Sequence, residues 1–174
     1  EKEQRIAQNL KNMGMTLTAY YASWILFYSL VLFCISLIWT LIVSWTFFAY
    51  SNKLLVFLVY FVPALFFLSL GFFLSAFFTK SKPGVLAALV IFFVIYGGNI
   101  GIQSVKDPAE QDYNLFAISP LAGLERATAN MVMLEASTYG FSFANVSELI
   151  ENFRYSTFLI ITIAETVLFF LLGI

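Results

Sequence analysis

Histidine is absent from these 174 residues, and cysteine occurs once, at Cys34. Without histidine there is no ordinary general base, no imidazole metal ligand and no histidine-based triad. One cysteine inside an apolar run excludes an intrachain disulfide. No G-x-x-x-x-G-K-[ST] phosphate loop occurs, so this stretch does not bind ATP by that route. Charge is scarce as well. Asp, Glu, Lys and Arg together make up 11% of the residues, against roughly 25% in a soluble domain. A formal net charge of −1 offers no bulk attraction to nucleic acid. No catalytic residue, no resident cofactor, no metal site and no nucleic-acid partner are therefore expected in this stretch.

What is present is apolar. Hydrophobic residues make up 61% of the chain, with 21 phenylalanines, and that balance points to an integral, multi-pass membrane protein. A spanning helix needs about 20 mostly apolar residues. Four segments meet or approach that need: 17–48, 54–78, 84–102 and 155–174. Backbone groups in hydrocarbon must be satisfied within their own element, so the spans are read as helices and the fold class as all-α. The first is long enough to tilt or protrude. Pro63 predicts a kink in the second. Residues 49–53 and 79–83 read as tight turns, and 103–154 as a longer mixed segment. The chain starts on Glu1 and ends inside an apolar run, which reads as a piece of a longer polypeptide.

Lysine and arginine set the expected orientation. Lys2, Arg5, Lys11, Lys80 and Lys82 fall on one side within short loops. Lys53, Lys106, Arg126 and Arg154 are spread over a longer stretch on the other. The start of the chain and the Lys80 turn are therefore expected in the cytoplasm, and 103–154 outside. Asn145-Val146-Ser147 forms an N-glycosylation sequon on that outer side, which makes Asn145 a candidate acceptor.

Three features carry functional information. Residues 1–15 form a charged leader that runs straight into the first span. Ile6, Leu10 and Met13 keep one apolar stripe, and Glu1 and Arg5 make an i, i+4 pair. Such a helix either lies in the headgroup layer or docks its free face on a soluble partner. Next, Ser119-Pro120 is a helix-start signal. Leu121, Leu124, Thr128, Met131 and Leu134 continue an apolar stripe, with Glu125, Arg126 and Glu135 at other positions. Residues 113–140 are too apolar for a free loop and too charged for a span. A re-entrant helical hairpin and an amphipathic helix lying flat on the outer surface both fit. Finally, Glu165 lies within the last span. An intramembrane acid faces other helices or a wet cavity and is a functional candidate by default, although a hydrogen-bonded structural role is open to it. Thr162 and Thr166 are placed to share its hydrogen bonds. Gly97 and Gly101 form a G-x-x-x-G, read as a helix terminus because Asn99 lies between them.

Taken in order, these residues resemble one family. Glu1-Lys2-Glu3-Gln4-Arg5, then Lys11 and Gly14, follow an E-K-E-x-R-x-x-x-x-x-K-x-x-G pattern similar to that of the A-subfamily ATP-binding-cassette transporters. Leu74-Ser75-Ala76-Phe77-Phe78-Thr79-Lys80 resembles that family's L-S-x-F-F-S-K. Ser119-Pro120-Leu121-Ala122 resembles its S-P-x-A, and Glu165 stands where an Asp is usual. The resemblance implies the last four spans of one transmembrane half, with the fold of an ABC type-2, or type V exporter-like, domain. In that fold Glu1, Lys2, Glu3, Arg5 and Lys11 belong to a cytoplasmic coupling helix, and an outer re-entrant hairpin follows the third span. It implies membrane lipids as cargo. It also implies, as partners, nucleotide-binding domains and a second transmembrane half on the same polypeptide. ATP and Mg would be bound in those domains, and the full-length protein would be the ATPase. A non-transporting scaffold subunit of a larger membrane complex is the alternative.

Overall fold

The computed structural model describes residues 12, 14, 16–78, 81–105, 119–148, 150 and 153–173. Among these residues five long helices follow one another: α1 (Leu17–Thr46), α2 (Lys53–Phe77), α3 (Ser81–Val105), α4 (Pro120–Ala136) and α5 (Tyr155–Gly173). Extended structure among the described residues amounts to one antiparallel bridge between Ile150 and Phe153.

Among the described residues three helices are long and apolar enough to cross a membrane: Thr18–Thr46, Lys53–Phe77 and Tyr155–Gly173. The helix expected over 84–102 forms as the longer Ser81–Val105, with Lys82–Val94 as its described apolar stretch. It starts earlier than expected because Pro83 falls in its first turn, where a missing N–H costs nothing. It also runs through Gly97 and Gly101 rather than ending there. Among the described residues no atom lies within 4 Å of a Cβ built on Gly97. Pro63 is accommodated inside α2, which stays helical from Lys53 to Phe77. Thr16 caps α1 by accepting from the Ala19 N–H, and Asn52 caps α2 by accepting from the Leu54 N–H.

Helix α2 is the hub and packs against each of the other four, most extensively against α5 and α1. Ser36, Thr40, Val43 and Ser44 are buried at helical spacing on α1. Phe33 of α1 packs edge-on against Phe57 and Phe61 of α2, and Trp39 against Tyr60. Small side chains let helices approach where lipid gives no hydrophobic push between them. The α2–α5 contact uses the same device. Ser69, Thr162 and Thr166 are buried there, and each hydroxyl donates to a carbonyl of its own helix.

Aromatic residues mark the ends of α1. At one end Tyr20 meets Trp24 edge-on and Trp24 stacks on Tyr28, while Trp45 is 90% exposed at the other. Trp24 and Trp45 are separated by about 32 Å of helix, close to the ~30 Å hydrocarbon thickness. Tryptophans at that spacing fit the two interfacial belts of one bilayer.

Packing is concentrated at the Trp45 end. There Val43, Phe48, Leu55, Val56, Val59, Ala122, Ala127, Met131, Phe141, Phe153, Tyr155 and Phe158 form one buried cluster. It joins all the helices except α3. The α4 face in this cluster differs from the expected stripe. Ala122, Gly123, Ala127, Asn130 and Met131 are buried, while Leu121 and Leu124 are only partly so. The reason is steric: the Phe158 ring occupies the place a Cβ on Gly123 would take, so only a near-bare surface can seat α4 there.

Candidate functional site

The Trp45 end is tied together by hydrogen bonds between segments distant in sequence. Helix α1 ends at Thr46, and 47–52 turn the chain into α2. The Glu135 carboxylate, in the last turn of α4, accepts from the Tyr50 backbone N–H at 2.6 Å and from the Ser51 hydroxyl at 2.6 Å. Ser51 Oγ in turn accepts from the Phe141 N–H at 2.8 Å, and the Asn52 N–H donates to the Phe141 carbonyl at 2.7 Å. A carboxylate that accepts two short bonds makes a charge-assisted clamp, stronger than neutral pairs.

Gly140 makes the clamp possible. Its φ is +64°, and the Tyr50 carbonyl lies where a Cβ would be. The chain then turns back through 141–148. Asn145 is half-buried there: Nδ2 donates to the Gly140 carbonyl at 2.9 Å, and Oδ1 accepts from the Ser142 N–H at 2.8 Å. Asn130 Nδ2 donates to the Ile150 carbonyl at 3.0 Å, and the buried Tyr155 hydroxyl donates to the Ala127 carbonyl at 2.6 Å. The return segment is thus fastened to α4 from both sides.

This knot fixes where α4 lies. Its C-terminal end, at Glu135, sits beside Ser51 at the start of α2. Its first residues, Ser119, Pro120 and Leu121, line a cavity with Phe66, Phe67 and Leu70, far down α2. Each of the two stretches covers about 22 Å at the helical rise, so α4 runs alongside α2 through more than half of its length. Ser119 and Pro120 open the helix as expected, but Ser119 makes no capping bond. Its Oγ is buried without a partner among the described residues.

Two hollows flank α4. The apolar cavity, about 340 Å³, lies between α2 and α3 and closes over Ser119, Pro120 and Leu121. A more open cleft of about 440 Å³ lies beside it, lined among others by Tyr60, Tyr96, Leu121, Glu125 and Thr128. Leu121 borders both. Both volumes are in the range of small-molecule sites, about 300–1,000 Å³.

The residues singled out from sequence fall in different places. Glu1, Lys2, Glu3, Arg5 and Lys11 lie outside the described residues. Glu165 is on α5, half-buried, with Oε2 inaccessible and without a hydrogen-bond partner among the described residues. Thr162 and Thr166 do not donate to it: their hydroxyls go to the Phe158 and Thr162 carbonyls, one turn back on the same helix. Sequence reasoning left Ser51, Gly140 and Tyr155 without a role and read Glu135 only as a polar position. Gly140, shortly after a helix end and before the apolar Phe141, carried the one readable signal. The clamp itself joins Ser51 to a residue 84 positions away.

The comparisons with known proteins agree with this architecture. The model of the ABC-2 family transporter protein matches residues 1–174. The chain is 30% identical over 151 residues to the human protein named "Cholesterol transporter ABCA5", and 30% identical over 152 residues to its mouse counterpart. These matches cover 84% and 85% of the chain. The chain spans about 9% of the length of these relatives.

Proposed function

The chain belongs to the ABC-2 family of transporter proteins, and from that premise we propose that it couples an ATPase to lipid movement across a bilayer. It is a multi-pass, all-helical membrane segment. In this reading α1, α2, α3 and α5 are four spans, and α4 is the limb of a re-entrant excursion that returns to the outer face. The observation that carries the reading is the course of α4, from Ser51 at one end of α2 to Phe66 and Phe67 deep along it. A helix flat on the membrane surface would not reach that depth. Backbone at such depth must be covered by protein, and α2 and α5 supply the cover.

Residues 1–15 act as the coupling helix on the cytoplasmic side, with Glu1, Lys2, Glu3, Arg5 and Lys11 facing a nucleotide-binding domain of the same polypeptide. ATP and Mg are bound in that domain. Its closure pushes the leader, which directly precedes α1 in the sequence, and α1 is packed along α2. Because the knot fastens α4 and α5 to the α1–α2 turn, the push reaches the outer face as one rigid movement. Sterol is the first cargo to test, since the relatives are named cholesterol transporters. ATP hydrolysis by the full-length protein in liposomes is expected to rise several-fold when cholesterol or phospholipid cargo is present. Hydrolysis that no lipid in a panel alters would overturn the reading.

Glu165 is proposed as the acid that answers to the second transmembrane half. Glu165→Leu removes a buried carboxylate oxygen that lacks a partner among the described residues, an unfavourable feature in apolar surroundings. Thermal stability is therefore expected to hold or rise while ATP-driven transport falls. Transport at the wild-type rate would leave Glu165 without a role.

Asn145 is proposed to act structurally. Asn145→Ala is expected to cost about 1–3 kcal/mol by orphaning the Gly140 carbonyl and the Ser142 N–H. Ser147→Ala, which abolishes the sequon but keeps both bonds, is expected to leave stability and glycosidase-sensitive mass unchanged. A mass loss in that variant would instead establish a glycan.

A further inference from the structure

We propose that the hollows flanking α4 form one binding site for a single lipid molecule, with its ammonium headgroup at Glu125, Tyr60 and Tyr96 and an acyl chain in the slot between α2 and α3. The site rests on the bilayer placement of α4 given above, but not on ATP coupling. Two observations carry it. The first is the chemistry of the open cleft. Its polar lining is one exposed carboxylate, Glu125, the phenols Tyr60 and Tyr96, and Thr128. The Thr128 hydroxyl is already donated to the Leu124 carbonyl. Among the described residues that line it there is no lysine or arginine, Arg126 included. A carboxylate with two aromatic rings is the recognition chemistry of an ammonium group, held by charge and by the ring faces. The same lining disfavours an anionic headgroup.

The second observation is continuity. Leu121 borders both the cleft and the apolar slot. The slot is walled by Phe66, Phe67, Leu70 and Leu74 on one side and Val85 and Leu89 on the other. A free amine would have no use for that slot, and a hydrocarbon chain alone would have none for Glu125. An amphiphile uses both. Depth agrees: Glu125 lies on α4 between Leu121, at the Phe66 level, and Glu135, at the Ser51 end, so it is below the start of α2. An acid at that depth is costly unless it faces a wet cavity or a partner charge. A lipid ammonium would supply that charge. Gly71 also lines the slot, and no atom lies within 4 Å of a Cβ built on it. A larger side chain there would start in open space and extend into the slot.

The test uses the full-length protein in nanodiscs of equimolar phosphatidylcholine and phosphatidylglycerol with identical chains. Lipid retained after mild detergent extraction is quantified by mass spectrometry, without ATP. Wild type is expected to retain phosphatidylcholine in excess. Glu125→Gln, at an exposed position, is expected to lower that preference about tenfold with phosphatidylglycerol unchanged. Gly71→Leu is expected to lower retention of both lipids. A preference untouched by Glu125→Gln, or retention untouched by Gly71→Leu, would overturn the site and leave the ATP-coupled reading standing. Intact preference together with ATPase activity that no lipid alters would do the reverse.

Discussion

Gly140→Ala is expected to be the most damaging small substitution in this segment, lowering stability by about 3 kcal/mol. Two separate costs combine. An L-residue held at φ +64° is disfavoured by about 1–2 kcal/mol. The added methyl also meets the Tyr50 carbonyl, a backbone atom that cannot swing away as a side chain end would. Overpacking of that kind costs about 1–3 kcal/mol. Relief would require the return segment to lift off the α1–α2 turn. That would break the Asn52 and Phe141 bonds as well. Thermal unfolding of the purified full-length protein reads the loss, and Gly71→Ala is the control. Among the described residues no atom crowds a Cβ at Gly71, which lies inside α2, so alanine there is expected to be neutral or stabilising.

Glu135→Ala is expected to have the next largest effect, about 2–3 kcal/mol. Hydrogen bonds to a charged acceptor contribute about 1.5–3 kcal/mol each. Glu135 makes two, but the Tyr50 bond is at an exposed position and is discounted accordingly. The partly buried Ser51 bond carries most of the effect. Because Ser51 Oγ also accepts from Phe141, removing the carboxylate loosens a chain of bonds rather than one. A double-mutant cycle between Glu135→Ala and Ser51→Ala isolates the pair, and a coupling of at least 1 kcal/mol is expected. Additive effects would mean that the two residues act independently. Beyond stability, loss of the clamp is expected to uncouple: ATP hydrolysis should persist while transport falls, because α4 no longer moves with the α1–α2 turn.

Length and hydropathy made much of this architecture legible. Helices α1, α2 and α5 follow from apolar runs of spanning length, and the start of α4 follows from Ser119-Pro120. The α4 packing face was not legible. Hydropathy points to Leu121 and Leu124, whereas the buried surface is built from Ala122, Gly123 and Ala127, whose value is their small size. The extent of α3 was misjudged because Gly97, Asn99 and Gly101 look like a terminus, yet the helix continues to Val105. The Thr162 and Thr166 hydroxyls were assigned to Glu165, but a carbonyl one turn back lies closer to hand for a threonine in a helix. The clamp was beyond reach for another reason. It depends on a tertiary fold that brings residues 50–52 against 135–141, and no local pattern encodes that.

The mechanical claim is that the leader transmits nucleotide-driven motion into α1. It is tested most directly by a photo-crosslinking amino acid at Gln4 in the full-length protein, scored for covalent capture of a nucleotide-binding domain with and without ATP. Efficient capture whose yield changes severalfold on adding ATP is the predicted result. Capture of lipid alone, or capture of the domain at one yield whatever the nucleotide, would contradict it.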